Sequence, residues 1–299
     1  MGKIAFVFSG QGDQYPGMGK DLYEKYPLAK KVFDLCDGLR PGTSSQCFYG
    51  TEEELKETKN TQPCLFAMEL AAAKVLIDKG IVPDVLAGFS LGEVVAATVS
   101  EAFDDDTGFR LVCKRGEIMQ HEAEKFDTSM AAVIKLTPEQ VQEECNKYSD
   151  VYPVNFNCPG QITVSGLSSQ MTDFFADVKA AGGRAIPLKV KGAFHSPFMN
   201  EAAKAFAEEL ANVNINERNI TLYSNMTAEP YGNDFVGLLS KQICNPVQWE
   251  KIIRNMIAEG VDTFIEIGPG KTLSNMIKKI SAYVKAVNIA EYIAEVEAC

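Results

Sequence analysis

Histidine and paired cysteines are what this sequence lacks most clearly. Its 299 residues include only two histidines, His121 and His195. The eight cysteines are scattered, with no C-x-x-C pair and no histidine beside any of them. This pattern excludes the common zinc motifs and favours reduced thiols in a cytoplasmic protein. No apolar run approaches the length of a membrane span, and Met1 leads directly into a strand-like segment, so we expect neither a signal peptide nor a membrane anchor.

Positive charge is also scarce. The chain has 29 lysines and arginines against 40 aspartates and glutamates, which gives a formal net charge of −11. This balance excludes general nucleic-acid binding, and it means that an acidic partner has to dock on a local basic patch. The apolar fraction of 46% and the charged fraction of 23% are typical of a soluble globular enzyme, and the length allows a large core.

The most informative segment is Gly88 to Gly92, with the sequence Gly-Phe-Ser-Leu-Gly. A short apolar run before it predicts a buried strand, and a longer apolar run after it predicts a central helix. A Gly-x-Ser-x-Gly motif between a strand and a helix is typical of a nucleophile elbow, which exposes the serine oxygen at a helix N-terminus. Backbone N–H groups at that point can hold an oxyanion. The alternative interpretation is a glycine-rich turn with Ser90 as a capping residue.

A serine nucleophile needs a base, and the two histidines are the candidates. His121 lies in a charged stretch that is typical of the solvated end of a helix. His195 lies in a loop after the strand-like run 185–190, and loops at strand ends carry the catalytic groups of α/β proteins. We therefore predict that His195 is the base, although a lone histidine is more often structural. Spacing selects no acidic third member, because Asp and Glu occur throughout the chain.

Alternating strand and helix patterns predict an α/β fold with the elbow near the middle of a central parallel sheet. The pattern changes after residue 127, where the order β-α-β-β-α-β is typical of a ferredoxin-like unit. We therefore predict a large α/β-hydrolase-like domain formed by residues 1–127 and 192–299. A small ferredoxin-like subdomain, residues 128–191, is predicted to be inserted in it.

Two further positions carry chemistry. The glycine-rich loop after the first strand is expected at the same sheet edge as the elbow, so the N–H of Gln11 can complete an oxyanion hole with the N–H of Leu91. The alternative is a plain tight turn, since neither this loop nor the segment at Gly270 has the full glycine spacing of a nucleotide-binding loop. Arg115 falls within the apolar stripe of a helix, where a guanidinium is costly unless an anion meets it. That anion is either an internal carboxylate or the carboxylate of a substrate.

Six short segments occur in a definite order along the chain. They are Gly10-Gln11-Gly12-x-Gln14, Gly88-x-Ser90-Leu91-Gly92-Glu93, Arg115-Gly116-x-x-Met119-Gln120, Gly192-Ala193-Phe194-His195-Ser196, Asn245-Pro246-Val247-x-Trp249 and Gly268-Pro269-Gly270. Together they resemble the malonyl-CoA:acyl carrier protein transacylases, within the acyltransferase family of fatty acid and polyketide synthesis. The resemblance covers essentially the whole chain and includes the inserted ferredoxin-like subdomain.

The resemblance implies a role for nine residues. Ser90 is the nucleophile, His195 is its base, and a main-chain carbonyl that maps to Gln242 orients the histidine. The N–H groups of Gln11 and Leu91 form the oxyanion hole. The substrate site consists of Arg115, which binds the malonyl carboxylate, together with Phe194, Met119 and Asn157. A bulky Phe194 beside the base is similar to the pattern of malonyl-preferring members.

The resemblance also implies a reaction and a partner. Malonyl passes from malonyl-CoA to Ser90 and then to the phosphopantetheine thiol of an acyl carrier protein, by ping-pong kinetics, to supply fatty acid chain elongation, with no bound cofactor or metal. Acyl carrier proteins are acidic, so we expect a positive rim near the active-site loops. The candidates are Lys189, Lys191, Lys271, Lys278 and Lys279. The alternative is that these lysines only solubilise the surface.

Two residues depart from the family pattern. Phe89 stands where histidine is usual, and Asp13 stands where serine is common. Phe89 removes a polar group beside the nucleophile and therefore affects acyl selectivity and rate. Three other functions share parts of the pattern: an acyltransferase that serves a polyketide synthase, a serine thioesterase or hydrolase, and a non-catalytic protein that binds the carrier.

Overall fold

Two β-sheets of opposite character organise the chain. The structure is a computed structural model, and it describes residues 2–188, 190 and 192–297. This part of the chain contains nine strands: β1 Lys3–Phe8, β2 Val85–Gly88, β3 Thr128–Ile134, β4 Val151–Cys158, β5 Gln161–Leu167, β6 Arg184–Pro187, β7 Thr221–Tyr223, β8 Val261–Ile267 and β9 Lys285–Asn288.

The described part also contains fourteen α-helices. They are α1 Lys20–Lys25, α2 Pro27–Leu39, α3 Thr43–Tyr49, α4 Glu52–Lys56, α5 Thr58–Asp78, α6 Gly92–Val99, α7 Asp105–Ala123, α8 Pro138–Cys145, α9 Ser168–Ala180, α10 Asn200–Ala211, α11 Phe235–Lys241, α12 Trp249–Ala258, α13 Thr272–Ile280 and α14 Ile289–Glu297. Single 3₁₀ turns cover Pro197–Met199 and Gln242–Cys244.

The central sheet is parallel, with the strand order β7-β2-β1-β8-β9. Its middle strand β1 is buried on both faces from Ala5 to Phe8, as expected for a parallel sheet covered by helices on both sides. Phe6 and Phe8 pack with residues of α5 and α6, whereas Ala5 and Val7 pack with residues of α12 and α13. The loops that follow β1, β2 and β8 consequently lie at one edge of the sheet.

The second sheet is antiparallel, with the strand order β4-β5-β3-β6. Its strands and helices follow one another as β3-α8-β4-β5-α9-β6, which confirms the predicted ferredoxin-like unit. The unit has its own apolar core, which includes Val164 and Phe174. The predicted strand 185–190 is shorter than expected and ends at Pro187, and Lys189 and Lys191 lie outside the described residues. The division of the chain at residues 128 and 191 stays a prediction.

The two sheets approach each other along β4. Helices α12 and α13 contact β4, and Asn155 of β4 forms an isolated parallel bridge with Val247. A cavity of about 530 Å³ lies between the two sheets, and the loops after β1 and β2 form part of its wall. Within the described ranges, we find no helix with the length and apolar character needed to cross a bilayer.

Candidate active site

Ser90 lies in a sharp turn between β2, which ends at Gly88, and α6, which begins at Gly92. Its φ of 57° lies in the left-handed region that non-glycine residues rarely adopt, so the turn holds the serine under backbone strain. A Cβ atom at position 88 would overlap the backbone of Gly92, and one at position 92 would lie 2.7 Å from the carbonyl oxygen of Ser9. Only glycine fits at both positions, which explains why the motif folds into this turn.

His195 meets Ser90 although the two are 105 residues apart in sequence. Its Nε2 lies 2.8 Å from Ser90 Oγ, and its Nδ1 lies 2.8 Å from the backbone carbonyl oxygen of Gln242. Because a carbonyl oxygen only accepts, Nδ1 carries the proton and Nε2 is free to accept one from the serine hydroxyl. Burial, together with the charge of Arg115, lowers the pKa of His195 to about 4, so the imidazole is neutral near pH 7.

Arg115 points inward from α7 and is fully buried, as its place in the apolar stripe predicts. Its Nη2 donates to Ser90 Oγ at 3.2 Å and to Gln242 Oε1 at 2.8 Å, and its Nη1 donates to Gln62 Oε1 at 2.8 Å. All three acceptors are neutral oxygens. Burial lowers the pKa of Arg115 to about 10, against the opposing charge of Glu93. Because the hydrogen-bond partners of the guanidinium among the described residues are all neutral, its charge can still bind an anion.

The backbone N–H groups of Leu91 and Gln11 have no hydrogen-bond acceptor among the described residues. Leu91 is the N-cap of α6, where N–H groups have no partner within the helix. The loop that contains Gln11 approaches the elbow closely, since a Cβ atom at Gly10 would lie 2.9 Å from the carbonyl oxygen of Phe89. Two unpaired donors beside a serine elbow are what an oxyanion hole requires. Their participation in one stays a prediction.

The cavity beside the elbow brings Gln11 and Phe89 together with Asn155 and Asn157 of β4. Asn157 Nδ2 donates to Thr163 Oγ1 at 3.1 Å, and its buried Oδ1 has no partner in the described part of the chain. Asn157 thus lines the cavity, and its substrate contact stays a prediction.

Both departures from the family pattern also lie at the cavity. The Phe89 ring packs edge-on against Trp249, with the ring centroids 5.5 Å apart, and contributes an apolar wall. The Asp13 carboxylate accepts a hydrogen bond from the Thr272 hydroxyl at 2.6 Å. Asp13 thus links the first loop to the start of α13, and Phe89 makes the wall next to the serine apolar.

Met119 contacts Gln62 and Phe194 precedes His195, but neither lines the cavity, whose wall also does not include Ser90, His195 or Arg115. Met119 is buried, and its sulfur accepts a hydrogen bond from Gln62 Nε2 at 3.4 Å. Phe194 directly precedes His195 and is buried in the main core. The substrate contacts expected of both stay predictions. His121 is exposed in the last turn of α7, and no group of three His, Cys, Asp or Glu side chains in the described ranges could hold a metal ion.

The sequence analysis assigns no role to three residues that support the site: Gln62, Glu93 and Asn225. Gln62 holds Arg115 in place, and Asn225 Oδ1 accepts a hydrogen bond from the Ser90 N–H at 2.8 Å. Glu93 is the one charged residue in a mostly apolar helix whose residues are all buried. A single carboxylate in an apolar run is a sequence signal that could have identified it. Gln62 and Asn225 are ordinary polar residues without a local pattern, so only the tertiary structure reveals them.

A parallel α/β sheet that carries a Gly-x-Ser-x-Gly elbow with a histidine at hydrogen-bond distance defines the class of α/β proteins with a serine nucleophile motif. The sequence profile of the family described as "Acyl transferase domain" matches residues 5–296. The chain therefore belongs to the acyl transferase domain family.

Relatives and solved structures resemble the chain over nearly its full length. The malonyl CoA-acyl carrier protein transacylase of Bacillus subtilis (strain 168) is 39% identical, over 97% of this chain and 94% of the relative. The crystal structure of the same enzyme from Clostridium perfringens has a TM-score of 0.95 at 36% identity, over 99% of this chain and 98% of that one. A malonyl-transacylase solved in complex with a type II polyketide synthase acyl-carrier protein has a TM-score of 0.95 at 31% identity, over 99% and 100% of the two chains.

Proposed function

We propose that this chain transfers a malonyl group from malonyl-CoA to the phosphopantetheine thiol of an acyl carrier protein, with Ser90 as the nucleophile. One observation carries the proposal: the Ser90 hydroxyl lies at hydrogen-bond distance from both a neutral histidine and a buried arginine. The first contact provides a base, and the second provides a cation for an acyl group that ends in a carboxylate. The full-length similarity to malonyl transacylases supports the same conclusion.

The first half-reaction forms the acyl-enzyme. Ser90 Oγ attacks the thioester carbonyl of malonyl-CoA while His195 Nε2 takes the hydroxyl proton, and the carbonyl oxygen becomes an oxyanion. The N–H groups of Leu91 and Gln11 hold that oxyanion. The C–S bond then breaks, and the CoA sulfur takes the proton from His195. The carbonyl of Gln242 keeps Nδ1 protonated throughout, so the histidine exchanges its proton only at Nε2.

The second half-reaction runs in the reverse sense. His195 Nε2 takes the proton of the carrier's thiol, and the sulfur attacks the carbonyl of the malonyl-Ser90 ester. The C–O bond to Ser90 Oγ breaks, and the oxygen regains its proton from His195. Because CoA leaves before the carrier reacts, the kinetics are ping-pong.

Arg115 selects the acyl group. In a malonyl ester on Ser90 the free carboxylate is only a few bonds from Oγ, and Arg115 Nη2 lies 3.2 Å from Oγ. The positive charge of Arg115, together with burial, lowers the pKa of His195. A carboxylate at this position offsets that charge and therefore raises the pKa of His195. The malonyl group thereby strengthens the base that serves it, whereas a neutral acyl group does not.

The carrier docks on a basic rim beside the cavity. Lys271 precedes α13, and Lys278 and Lys279 lie in its last turn, while Thr272 and Met276 of the same helix line the cavity. Lys279 Nζ also reaches Gln161 Oε1, a cavity residue, at 3.2 Å. An acidic carrier is therefore attracted to the cavity mouth despite the net charge of −11. Lys189 and Lys191, the other predicted rim residues, lie outside the described residues.

Fatty acid elongation in the cytoplasm is the pathway and location that we propose. The main alternative is service to a polyketide synthase, and the similarity to a malonyl-transacylase solved with a polyketide carrier favours it. The chemistry at Ser90 is the same in both cases. Loading assays with one carrier of each kind separate them, because the native carrier gives the lower KM.

The test of the central proposal is intact-protein mass spectrometry after mixing with malonyl-CoA. We expect one malonyl adduct on the wild-type protein, located at Ser90 by peptide mapping, and none on Ser90→Ala. Addition of the carrier's holo form should remove the adduct and produce malonyl-carrier. Rapid release of free malonate without a thiol acceptor would instead identify a hydrolase, and an adduct at another residue would refute the role of Ser90.

A further inference from the structure

Glu93 is a fully buried carboxylate three residues after Ser90. Its Oε1 accepts hydrogen bonds from the Asn225 N–H at 2.8 Å and from the Tyr231 hydroxyl at 2.7 Å, and its Oε2 accepts one from Gln242 Nε2 at 2.7 Å. A buried charge is costly unless such donors compensate it. The arrangement of these donors indicates what the charge does for the site.

The side-chain amide of Gln242 is held at both ends. Its Nε2 donates to Glu93 and to the Ser90 carbonyl oxygen at 2.7 Å, and its Oε1 accepts from Arg115 Nη2 at 2.8 Å. A flipped amide would turn its NH₂ group toward the guanidinium and its oxygen toward the carboxylate, so that both contacts would repel. An ionised Glu93 only accepts hydrogen bonds and therefore excludes the flip.

We propose that Glu93 is a positioning residue for acyl transfer, because its ionised carboxylate fixes Gln242 and, through it, both His195 and Arg115. This inference rests on the proposed function, since it concerns the same site. The backbone carbonyl of Gln242 orients the imidazole, and its side-chain oxygen holds the guanidinium. Glu93 also binds the N–H of Asn225, whose side chain accepts the Ser90 N–H. One carboxylate thus supports the nucleophile, the base and the cation.

Protonation of Glu93 removes this control. Burial raises the pKa of Glu93 to about 7, and the three donors together with the charge of Arg115 limit the rise. The ionised form predominates above that pH. Below it, the carboxyl group gains a proton that it can donate to the oxygen of a flipped amide, so Glu93 no longer excludes the flip and only the contact with Arg115 opposes it. Ordered geometry at Gln242 is therefore expected above pH 7 and is lost as the pH falls.

The other titratable groups around Glu93 have pKa values away from 7 or belong to a different cluster. From α7, Arg115 has its pKa lowered to about 10 by burial, and burial raises the pKa of Tyr231 above its ordinary value. Helix α5 contributes Glu69, whose charged neighbours are Glu266 and Asp13. Strand β2 has no titratable residue, and β1 has only Lys3 at its exposed start.

The experiment measures kcat/KM for malonyl-CoA from about pH 5.5 to about pH 9. We expect the wild-type rate to fall below pH 7, while Glu93→Gln has a roughly tenfold lower plateau, the value of one charge-assisted hydrogen bond, and no fall near pH 7. Tyr231→Phe removes one donor to the ionised carboxylate and should shift the fall to higher pH. Tyr223→Phe, at a buried tyrosine that does not bond to Glu93, is the matched control and should reproduce the wild-type profile.

A merely structural Glu93 would lower stability without changing the pH profile. The inference is overturned if Glu93→Gln keeps the fall near pH 7, or if Tyr231→Phe leaves it in place. Tyr231→Phe decides the question even if Glu93→Gln does not fold. The Ser90 adduct of the wild-type protein keeps the two proposals separate. If the adduct forms but the variants have the pH profile of the wild type, only the role of Glu93 is overturned. Absence of any wild-type adduct overturns the proposed function, and this inference with it.

Discussion

At the scale of single residues, Arg115 differs from a structural arginine in its partners. It is fully buried, yet its hydrogen bonds end on the neutral oxygens of Gln62, Gln242 and Ser90. A buried cation is normally compensated by a carboxylate at hydrogen-bond distance. Glu93 does not contact Arg115 directly, because the side chain of Gln242 lies between them. These neutral partners support our proposal that the anion arrives with the substrate.

Replacing this arginine tests acyl selectivity. We expect Arg115→Ala to lower kcat/KM for malonyl-CoA by about 10- to 100-fold, the range for a lost hydrogen bond to a charged group, and to improve the loading of acetyl from acetyl-CoA. Arg110→Ala, at an exposed arginine of the same helix that pairs with Asp106, is the control and should change neither rate. Equal losses for both acyl groups would show that Arg115 has a general structural role.

The motif at Ser90 and the scarcity of histidine were sufficient to predict that Ser90 and His195 meet. With two histidines in the chain and one of them in a charged helix end, His195 is the predicted base for Ser90, and the structure brings the two side chains together. The residues behind them were not predictable in the same way. Gln62 and Asn225 act through tertiary contacts across 53 and 135 residues of sequence, and no local pattern records such contacts.

At the scale of elements, the elbow is fixed by the closeness of two backbones. Helix α6 starts directly against the end of β1, so position 92 has no room for a side chain. The same argument does not apply to every glycine. Gly38 lies in α2, where a Cβ atom would have nothing within 4 Å, and its φ is not positive.

These two glycines form a matched pair for stability measurements. We expect Gly92→Ala to destabilise the fold by more than about 3 kcal/mol, because the new methyl group meets the backbone of Phe8 and Ser9 and neither can move without disturbing the sheet. Gly38→Ala should instead stabilise the protein by about 0.5–1 kcal/mol, as expected in an open helical position. Urea unfolding followed by circular dichroism measures both. A Gly92→Ala protein as stable as the wild type would contradict the packing argument.

Elements with strong periodicity were predicted closely, and their ends were less certain. The helical pattern over 62–79 corresponds to α5, Thr58–Asp78, and the strand pattern over 161–166 corresponds to β5, Gln161–Leu167. The main difference is β6, which ends at Pro187 instead of continuing to Val190. An apolar alternation continues past Pro187, so sequence pattern alone extends the strand. In the register with β3 the last paired residue is Pro187, opposite Ala131, and a local pattern does not contain this long-range pairing.

At the scale of the whole molecule, the cavity results from packing between the two sheets. Asn157 comes from β4 of the antiparallel sheet, Gln11 and Phe89 follow strands of the parallel sheet, and Met276 comes from α13. The order β-α-β-β-α-β was readable from the sequence, but the orientation of that unit on the parallel sheet was not. It depends on contacts between β4 and helices α12 and α13, which lie about a hundred residues later in the chain.

Docking of an acidic carrier on an acidic protein is a property of the whole charge distribution. We expect the double variant Lys278→Glu and Lys279→Glu to raise the KM for the holo carrier protein about tenfold at low salt, because like charges then meet at the cavity mouth, and to leave the KM for malonyl-CoA unchanged. Lys30→Glu with Lys31→Glu is the control: it makes the same change of net charge on α2, which contributes no described residue to the cavity. If both double variants raised the carrier's KM equally, net charge and not the rim would govern docking; a parallel rise in the KM for malonyl-CoA would contradict a carrier-specific rim.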